Sequence, residues 1–432
     1  MAELVQRYLD QIRTEHLTNT DGALADYIPE LARADPGALG LSLSLADGYI
    51  YESGDCTAEF TIQSVSKPFT YALALDRIGQ YAVDAKIGVE PSGEAFNEIS
   101  VDETTNRPKN PMINAGAIAA VSLIPGVSAD DRFAQIHEFY SAFAGRDLSV
   151  DHDVYASEKA TGSRNRAIAY MLQSFGVLDD DPDEILDVYF RQCSIKVTST
   201  DLARMAATLA RGGVEPRSGR RVTSAAVVQR TLSVMVTCGM YDAAGDWVSA
   251  VGMPAKSGVG GGITAVLPGQ LGIGVYSPLL DAKGNSVRGV EVCRSMSVSL
   301  GLHFLSVTRE SRSTIRAAYD ARPGVRVYEL HGDLLFAGAE QVLRTIEGEY
   351  NEFDIAIMEV SRVDDIDDTA RGMLAGMRES LTAAGKQGYL VDPDDTLQVP
   401  RVDGAQAIVF STLDDALRAA RQSIPAPQDS DG

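Results

Sequence analysis

The segment QSVSKP places Ser64 and Lys67 three residues apart, a spacing that could support acyl transfer. On a helix, residues i and i+3 lie on one face, so the Lys67 amine could reach the Ser64 hydroxyl. A serine hydroxyl is a weak nucleophile until a base takes its proton, and a desolvated lysine with a lowered pKa is such a base. The structural alternative is that Ser64 caps a helix and Lys67 faces solvent.

A second segment, MPAKSGVGGG, could supply the other half of such a site. Lys256, Ser257 and Gly258 lead from a turn into a glycine-rich strand. A Lys-Ser/Thr-Gly strand accompanies Ser-x-x-Lys in penicillin-recognising enzymes, where a backbone amide of that strand helps to form the oxyanion hole. The alternative is a flexible glycine-rich turn. The two motifs in this order favour serine-dependent acyl transfer.

The elements that must position these residues are helices and strands in a mixed arrangement. Apolar residues at three- and four-residue spacing predict helices over Met1–Glu15, Pro68–Gly79, Asn165–Phe175, Ile185–Gln192 and Thr200–Ala210. Alternating apolar runs predict hairpins in LGLSLSLADGYIYESGD and AVLPGQLGIGVYSP, and a further strand in SVRGVEVC. Strands early and late with helices between them indicate an α+β fold with a mostly antiparallel sheet.

A different pattern begins near Pro323. Strand-like and helical segments alternate: GVRVYELHG, AEQVLRTIEG, DIAIMEVS, TARGMLAGMRESLTAAGK, GYLVD, AIVF and STLDDALRAARQ. In the last of these, Thr412 and Asp415 have capping-box spacing. The alternation predicts a small α/β domain over residues 323–422 after a first domain over residues 1–310. The charged segment TRESRSTIRAAYDARPG is interpreted as the link, and residues 423–432 as a disordered tail.

Composition narrows the classes of function. The 432-residue chain has a formal net charge of −22, which disfavours binding to nucleic-acid phosphates. The sequence has no apolar run long enough to span a bilayer, and its N-terminus lacks the apolar core of a secretory signal. The four cysteines are far apart and the five histidines form no motif, so we expect buried, reduced thiols and no metal. A cytoplasmic protein is predicted.

Eight segments together resemble a glutaminase of the serine-dependent, β-lactamase-like kind. In the family order, over roughly residues 20–305, they are DYIPELA, IQSVSKPFTYALAL, NPMINAGAI, SEKATGSRNRAIAY, DVYFRQCSI, CGMYDAAG, MPAKSGVGGGI and SPLLDAKGNSVRGVEVC. The resemblance implies a β-lactamase/penicillin-binding-like fold and hydrolysis of L-glutamine to L-glutamate and ammonia, without metal or organic cofactor. It also implies a homodimer or homotetramer.

The resemblance further implies roles for particular residues. Ser64 matches the nucleophile and Lys67 its base, and the backbone amides of Ser64 and Val259 match the oxyanion hole. Tyr241 matches a proton-shuttling tyrosine beside the nucleophile, and Tyr27 matches a second tyrosine that approaches the substrate. The residues implied to hold the substrate, besides Ser64, Tyr241 and Val259, are Asn114, Glu158, Asn165 and Tyr189.

These residue types suit glutamine, which presents a zwitterionic head and a neutral amide. Glu158 can pair with the α-ammonium, while Asn and Tyr donors can bind the α-carboxylate. A tyrosine can protonate the leaving nitrogen, which must depart as ammonia. Each residue also has a structural alternative: Tyr189 and Tyr241 as core residues, the two asparagines as caps or turn residues, and Glu158 as a surface charge.

The segment IAIMEVSRVDDIDDTARGML resembles the central strand, loop and helix of a STAS (sulfate transporter and anti-sigma-factor antagonist) domain. Thr369 occupies the position that is phosphorylated in the antagonists. However, Asp368 replaces the first serine and Ala370 the glycine of the family motif, so a helix cap is the favoured role for Thr369. The resemblance implies a regulatory or protein-interaction module without chemistry of its own.

Two other functions compete with glutamine hydrolysis. A penicillin-binding or β-lactam-hydrolysing protein is disfavoured by the absence of an export signal and of a Ser-Asp-Asn motif. An inactive amino-acid sensor that signals through the C-terminal domain is disfavoured because both Ser64 and Lys67 are present.

Overall fold

The computed structural model describes residues 2–92, 101–305, 314–334, 336–366, 368–398 and 408–423. The chain divides into two compact units, Met1–Thr308 and Arg309–Gly432. Each unit has a five-stranded sheet of its own. Within the described ranges, no helix is both long and apolar enough to cross a membrane.

The first unit is built on an antiparallel sheet. Its strands are β1 (Gly40–Leu45), β2 (Ile50–Gly54), β3 (Phe60–Thr61), β4 (Lys196–Val197), β5 (Ala255–Ser257), β6 (Gly262–Leu267) and β7 (Leu271–Tyr276). The main sheet has the order β2-β1-β7-β6-β5, and β3 pairs separately with β4. Both predicted hairpins and the α+β fold with an antiparallel sheet of early and late strands are confirmed.

Helices flank the sheet, and most of them lie between β2 and β5 along the chain. They are α1 (Ala2–Leu17), α2 (Pro29–Ala32), α3 (Lys67–Ile78), α4 (Gln80–Asp84), α5 (Asn114–Ser122), α6 (Ala129–Ala144), α7 (His152–Thr161), α8 (Ser163–Ser174), α9 (Pro182–Cys193), α10 (Ser199–Ala210), α11 (Ala225–Cys238), α12 (Ala244–Ala250) and α13 (Val287–Leu300). The predicted helices are confirmed as α1, α3, α8, α9 and α10.

Two hydrophobic cores cover the main sheet of the first unit. One contains α1, α12 and α13, through residues such as Leu9 and Trp247. The larger core contains the remaining long helices, and α10 joins it to the sheet. Strand β7 allows this close approach because it has glycines where α10 crosses it: a Cβ on Gly274 would lie 1.9 Å from the carbonyl oxygen of Ser199.

The prediction of a strand in SVRGVEVC is wrong, because this segment opens helix α13. Ser286 caps the helix, its hydroxyl accepting a hydrogen bond from the backbone N–H of Gly289 at 3.2 Å. Val292, Cys293 and Met296 then form a buried stripe at helical spacing in the core with α1. The valines favour a strand by local propensity, but the cap and the packing surface determine a helix.

The second unit alternates strands and helices as predicted. Its elements are β8 (Ile315–Arg322), β9 (Val325–Leu334), α14 (Phe336–Gly348), β10 (Ile355–Ile366), α15 (Asp368–Ala383), β11 (Gln387–Val391), β12 (Val409–Phe410) and α16 (Leu413–Ser423). The strand order is β12-β11-β10-β9-β8, parallel except for the antiparallel β8–β9 pair. Helices α14 and α15 pack on one face of this sheet and α16 on the other.

The interpretation of residues 308–324 as a link is wrong over β8, which forms an edge strand of the second sheet. Its charges pair with the neighbouring strand: Arg316 lies 2.6 Å from Glu329, and Asp320 lies 2.9 Å from Arg326. The Pro-Gly that seemed to end a linker therefore turns a hairpin.

At the other end of the unit, the Thr412 hydroxyl accepts the Asp415 N–H at 3.2 Å, as the capping spacing predicts. Ser423 belongs to α16, and the rest of the predicted tail, residues 424–432, lies outside the described residues. The Thr369 backbone lies in α15, but its side chain is outside the described part of the structure, so the predicted cap role remains a prediction.

Candidate active site

A cavity of about 310 Å³ lies in the first unit. Its lining residues are Tyr27, Gln63, Ser64, Asn114, Glu158, Thr161, Gly162, Arg164, Asn165, Tyr189, Cys193 and Val259. The cavity thus brings together seven of the residues singled out in the sequence, which are separated by as many as 232 positions (Tyr27 to Val259). Lys67 and Tyr241 do not line it but interact with residues that do.

Ser64 lies in a buried 3-10 turn, Gln63–Ser66, immediately before α3. Gln63 has a φ of 48°, a left-handed conformation that is rare for a residue with a side chain. Two buried hydrogen bonds hold the turn: Ser66 Oγ donates to the Gln63 carbonyl at 2.6 Å, and Tyr140 OH donates to the Ser66 carbonyl at 2.7 Å. The N-cap position of α3 belongs to Ser66 and not to Ser64, so the helix-cap interpretation of Ser64 is wrong.

Lys67 is the first residue of α3 and is fully buried, so the solvent-facing alternative is also wrong. Its Nζ donates to Asn114 Oδ1 at 2.7 Å. Burial disfavours the charged ammonium and lowers the pKa of Lys67 to about 7. A substantial fraction of this lysine is therefore a neutral amine near neutral pH, which is what a general base requires.

Tyr241 opens another 3-10 turn, Tyr241–Ala243, and also has a left-handed φ, of 57°. Its phenol forms a hydrogen bond with the Ser64 side chain and donates to the Ser257 carbonyl at 3.2 Å. Lys67 Nζ lies 6.0 Å from the ring centroid. Burial raises the pKa of Tyr241, so the phenol keeps its proton at neutral pH and can donate it.

Glu158, on α7, is 7% exposed, which contradicts the surface-charge alternative. Tyr27 OH donates to Glu158 Oε1 at 2.8 Å and lies 3.5 Å from Gln63 Oε1. Burial raises the pKa of Glu158, while hydrogen bonds from Tyr27 and Gln63 oppose that rise. Among the described residues that line the cavity, Glu158 is the only carboxylate, so a cationic group would bind at the end of the cavity where Glu158 lies.

Two asparagines connect Lys67 to the far wall of the cavity. Asn114 accepts from Lys67 and donates through Nδ2 to Asn165 Oδ1 at 2.9 Å. The N-cap of α5 is Ile113 and not Asn114, and Asn165 lies within α8, so neither asparagine is a helix cap. Tyr189, on α9, belongs to the larger core and also lines the cavity, and its role in binding stays a prediction.

The loop Gly258–Gly262 lies directly against the segment that carries Ser64. A Cβ on Gly260 would lie 2.5 Å from the Thr61 carbonyl oxygen, and Gly261 has a φ of 91°. Glycine is therefore required by this close approach. Val259 lines the cavity within this loop, and within the described chain its N–H donates to no other residue.

Sequence reasoning missed Gln63, Thr161, Gly162, Arg164 and Cys193 as cavity residues. All five stand beside or within the motifs already singled out, which was the available signal. Cys193 is inert as a nucleophile, because burial raises the pKa of its thiol to about 12. All four cysteines are buried and unpaired, and the described residues contain no group of three or more His, Cys, Asp or Glu placed to hold a metal ion.

Comparison with known proteins identifies the family. The glutaminase family model matches residues 22–305, well over half of the chain. This chain belongs to the glutaminase family. Glutaminase 2 of Bradyrhizobium diazoefficiens is 48% identical, aligned over 97% of this chain and 71% of the relative. The glutaminase of Corynebacterium efficiens is 42% identical over 95% of this chain and 97% of its own length.

Solved glutaminase-like structures agree with this assignment. The chain superposes on the crystal structure of Mglu with a TM-score of 0.83 at 44% identity, covering 90% of this chain and 98% of that one. The STAS domain model matches residues 316–415, so the second unit is a STAS domain. The predicted β-lactamase-like fold and the prediction that the chain is an enzyme, a glutaminase, are confirmed, and the penicillin-recognising alternative is set aside.

Proposed function

We propose that this glutaminase hydrolyses L-glutamine to L-glutamate and ammonia through an acyl-enzyme formed on Ser64. One observation carries the mechanism: the Ser64 hydroxyl faces the cavity and bonds the Tyr241 phenol, while buried Lys67, with a pKa of about 7, begins the helix that follows. The site therefore offers a nucleophile bonded to an acid that keeps its proton, with a base that can be neutral three residues along the chain.

Substrate orientation follows from the charge of the cavity walls. The α-ammonium pairs with Glu158, whose ionised form is favoured by the hydrogen bond that Tyr27 donates to it at 2.8 Å. Asn114, Asn165 and Tyr189 hold the α-carboxylate end by hydrogen bonding. The side-chain amide then extends towards Ser64, where no charged group is needed to bind it.

In the acylation step, Lys67 Nζ accepts the Ser64 proton and Ser64 Oγ attacks the amide carbon of glutamine. The N–H groups of Ser64 and Val259 bind the oxyanion, for which Val259 has a donor that no other described residue uses. Tyr241 donates its phenol proton to the leaving nitrogen, the C–N bond breaks and ammonia leaves. Lys67 returns its proton to Tyr241, so the enzyme is neither oxidised nor reduced and no proton is lost.

In the deacylation step, water attacks the ester carbonyl and Lys67 accepts a proton from it. The bond between carbon and Ser64 Oγ breaks, Ser64 regains the proton, and L-glutamate leaves. A relative supports glutamate as the product: the crystal structure of Mglu "in its glutamate form" matches this chain with a TM-score of 0.83 at 40% identity.

The test is ammonia release from L-glutamine by the wild type and by Ser64→Ala, with the exposed Ser299→Ala as a control. We expect the control to match the wild type and Ser64→Ala to lose about 10⁴-fold or more in turnover. Rapid quench and peptide mass analysis should find a glutamyl adduct on the peptide containing Ser64. An inactive wild type would refute glutamine hydrolysis, whereas an active Ser64→Ala would refute only the nucleophile.

We further propose that the protein assembles as a homodimer or homotetramer and that the STAS domain serves assembly or binds a protein partner. The STAS family match over residues 316–415 supports an interaction role.

A further inference from the structure

Residues 277–286, which connect strand β7 to helix α13, have no part in the reaction proposed above. They belong to SPLLDAKGNSVRGVEVC, the last of the eight segments that resemble the glutaminase family. Their contacts reach two parts of the proposed active site, the loop that carries Val259 and the turn that carries Tyr241. This connection is therefore placed to act on both.

The backbone of the connection supports the loop that carries Val259. Ser277 donates its N–H to the Gly261 carbonyl at 3.0 Å. A Cβ on Gly261 would lie 2.6 Å from the Cα of Pro278, so the two backbones approach closely. Within the loop, the Gly261 N–H donates to the Gly258 carbonyl at 2.9 Å, which closes a tight turn around Val259. The Val259 backbone is thus held in a turn that packs on the connection.

The side chain of Asn285 makes the next contact. Asn285 is 1% exposed, and its Oδ1 accepts a hydrogen bond from Ser257 Oγ at 2.5 Å. Ser257 ends strand β5 two residues before Val259, and its carbonyl accepts the hydrogen bond of the Tyr241 phenol at 3.2 Å. Asn285 therefore fixes the residue that joins the proposed oxyanion donor to the proposed proton donor.

A compact turn holds Asn285 in place. Asp281 Oδ1 accepts the backbone N–H of Asn285 at 2.9 Å and that of Lys283 at 2.8 Å. The Lys283 side chain extends to the other part of the site: its Nζ lies 3.7 Å from Asp242, the residue after Tyr241. The turn is thus tied to the Tyr241 segment as well as to strand β5.

Stability alone does not explain an asparagine at this position. Among the residues that the structure describes, the buried Nδ2 of Asn285 has no hydrogen-bond partner. A buried donor without a partner costs free energy, whereas an apolar pair in place of both partners of a buried hydrogen bond can be nearly neutral. The polar pair of Asn285 and Ser257 therefore suggests a role in the reaction.

We propose that Asn285 is a positioning residue for the reaction proposed above: by holding Ser257, it sets the position of the Val259 N–H relative to the Tyr241 phenol. The inference rests on the proposed function. Asn285 does not line the cavity and acts on the reacting atoms through Ser257. The two groups that it places stabilise charge that develops in the transition state, so its loss should lower kcat and leave KM nearly unchanged.

The first test is the steady-state kinetics of ammonia release from L-glutamine by Asn285→Ala, Ser257→Ala and the double variant. Each single substitution breaks the same hydrogen bond, so we expect each to lower kcat by about 10- to 100-fold with KM within about twofold of the wild type. Because the two residues act as one unit, the double variant should be no slower than the slower single variant. Effects on kcat that multiply in the double variant would overturn the proposal.

Ser53→Ala is the matched control. Ser53 is buried on β2, at the opposite edge of the same sheet, and its hydroxyl donates to Asp10 at 2.6 Å. This variant should lower the melting temperature about as much as Ser257→Ala does, because each loses one hydrogen bond of a buried serine, but it should keep the kcat of the wild type. Equal kcat values for the two serine variants would show a merely structural role and overturn the proposal.

Folding of each variant is checked separately, because an unfolded fraction would also lower kcat. A rise in melting temperature with added L-glutamate, equal to that of the wild type, shows a folded chain with an intact cavity. If Asn285→Ala fails this check, Ser257→Ala breaks the same bond by removing one oxygen, and its comparison with Ser53→Ala decides. A wild type that releases no ammonia would instead overturn the proposed function.

Discussion

At the scale of single residues, burial decides what the Ser-x-x-Lys motif means. The spacing of Ser64 and Lys67 fits an exposed helix start as well as a catalytic pair. Complete burial of Lys67 removes the first possibility, and the same burial lowers its pKa to about 7. The desolvation that destabilises the ammonium thus makes the amine a competent base.

The pKa of Lys67 predicts how activity depends on pH. The base must be neutral, and the fraction of neutral amine falls as the pH drops below about 7. We therefore expect kcat to rise with pH through a single ionisation near 7, measured as ammonia release in the presence of saturating glutamine. In Lys67→Met, kcat should drop by about 10²- to 10⁴-fold and the ionisation should vanish. If the residual activity of Lys67→Met still shows the acid limb of the kcat profile, the ionisation belongs to another group.

The hydrogen bond from Tyr27 to Glu158 predicts a defect in binding rather than in chemistry. Tyr27→Phe removes the donor at 2.8 Å, so the pKa of Glu158 rises further and less of it is ionised to pair with the α-ammonium. A hydrogen bond to a charged group contributes about 1.5–3 kcal/mol, so we expect KM to increase by about 10-fold or more with a smaller change in kcat.

Tyr170→Phe is the matched control for this prediction. Tyr170 also donates to a carboxylate, Asp183 at 2.9 Å, but on the exposed side of α8 and away from the cavity. Its removal should leave both kinetic constants unchanged. Equal effects of the two substitutions on KM would show that the Tyr27 bond has no specific role in binding.

At the scale of elements, the sequence predicts well where local pattern and tertiary packing agree. Helical spacing predicts α3 and α10 and alternation predicts β1 and β2, and tertiary packing buries α3 from Lys67 to Leu75 and β1 from Gly40 to Ser44 on more than one face. Prediction fails for α13, where valines favour a strand but Ser286 caps a helix. It also fails for β8, whose charged sequence is typical of a linker, although its charges pair with Glu329 and Arg326 on the neighbouring strand.

For the site residues as well, the sequence predicts what local motifs carry and misses what depends on tertiary contacts. Ser64, Glu158 and Val259 could be located because motifs carry them, whereas the strained turn at Gln63 depends on contacts from Tyr140 and Ser66. The local sequence holds no separate signal for those contacts. For the same reason, the burial of Lys67 and its lowered pKa could be named as requirements of the chemistry but not established from the chain alone.

The crossing of α10 over β7 predicts a stability defect in Gly274→Ala. The added Cβ would lie 1.9 Å from the Ser199 carbonyl oxygen, a backbone atom that cannot move without displacing the helix. Overpacking of this kind costs about 1–3 kcal/mol, so urea unfolding should give a lower free energy of unfolding by that amount. Gly245→Ala is the control, because a Cβ there meets nothing within 4 Å. Equal stability of the two variants would contradict the close contact between α10 and β7.

At the scale of the whole molecule, the cavity and the STAS domain belong to separate units. The residues that line the cavity all lie between Tyr27 and Val259, within the first unit. The STAS domain has hydrophobic cores of its own, on both faces of its sheet. A chain in which each unit buries its own apolar surface can lose one unit without exposing the core of the other.

Deletion of residues 309–432 tests this separation, and the cut is placed before β8 so that no strand of the second sheet is left behind. We expect ammonia release to remain measurable, with the acid limb of kcat still near pH 7, because Lys67 and its surroundings are intact. Light scattering should show a change in the number of subunits relative to the full chain if the STAS domain serves assembly. An unchanged subunit number would assign that domain to binding a separate partner, and complete loss of activity in a folded fragment would show that the cavity depends on the second unit.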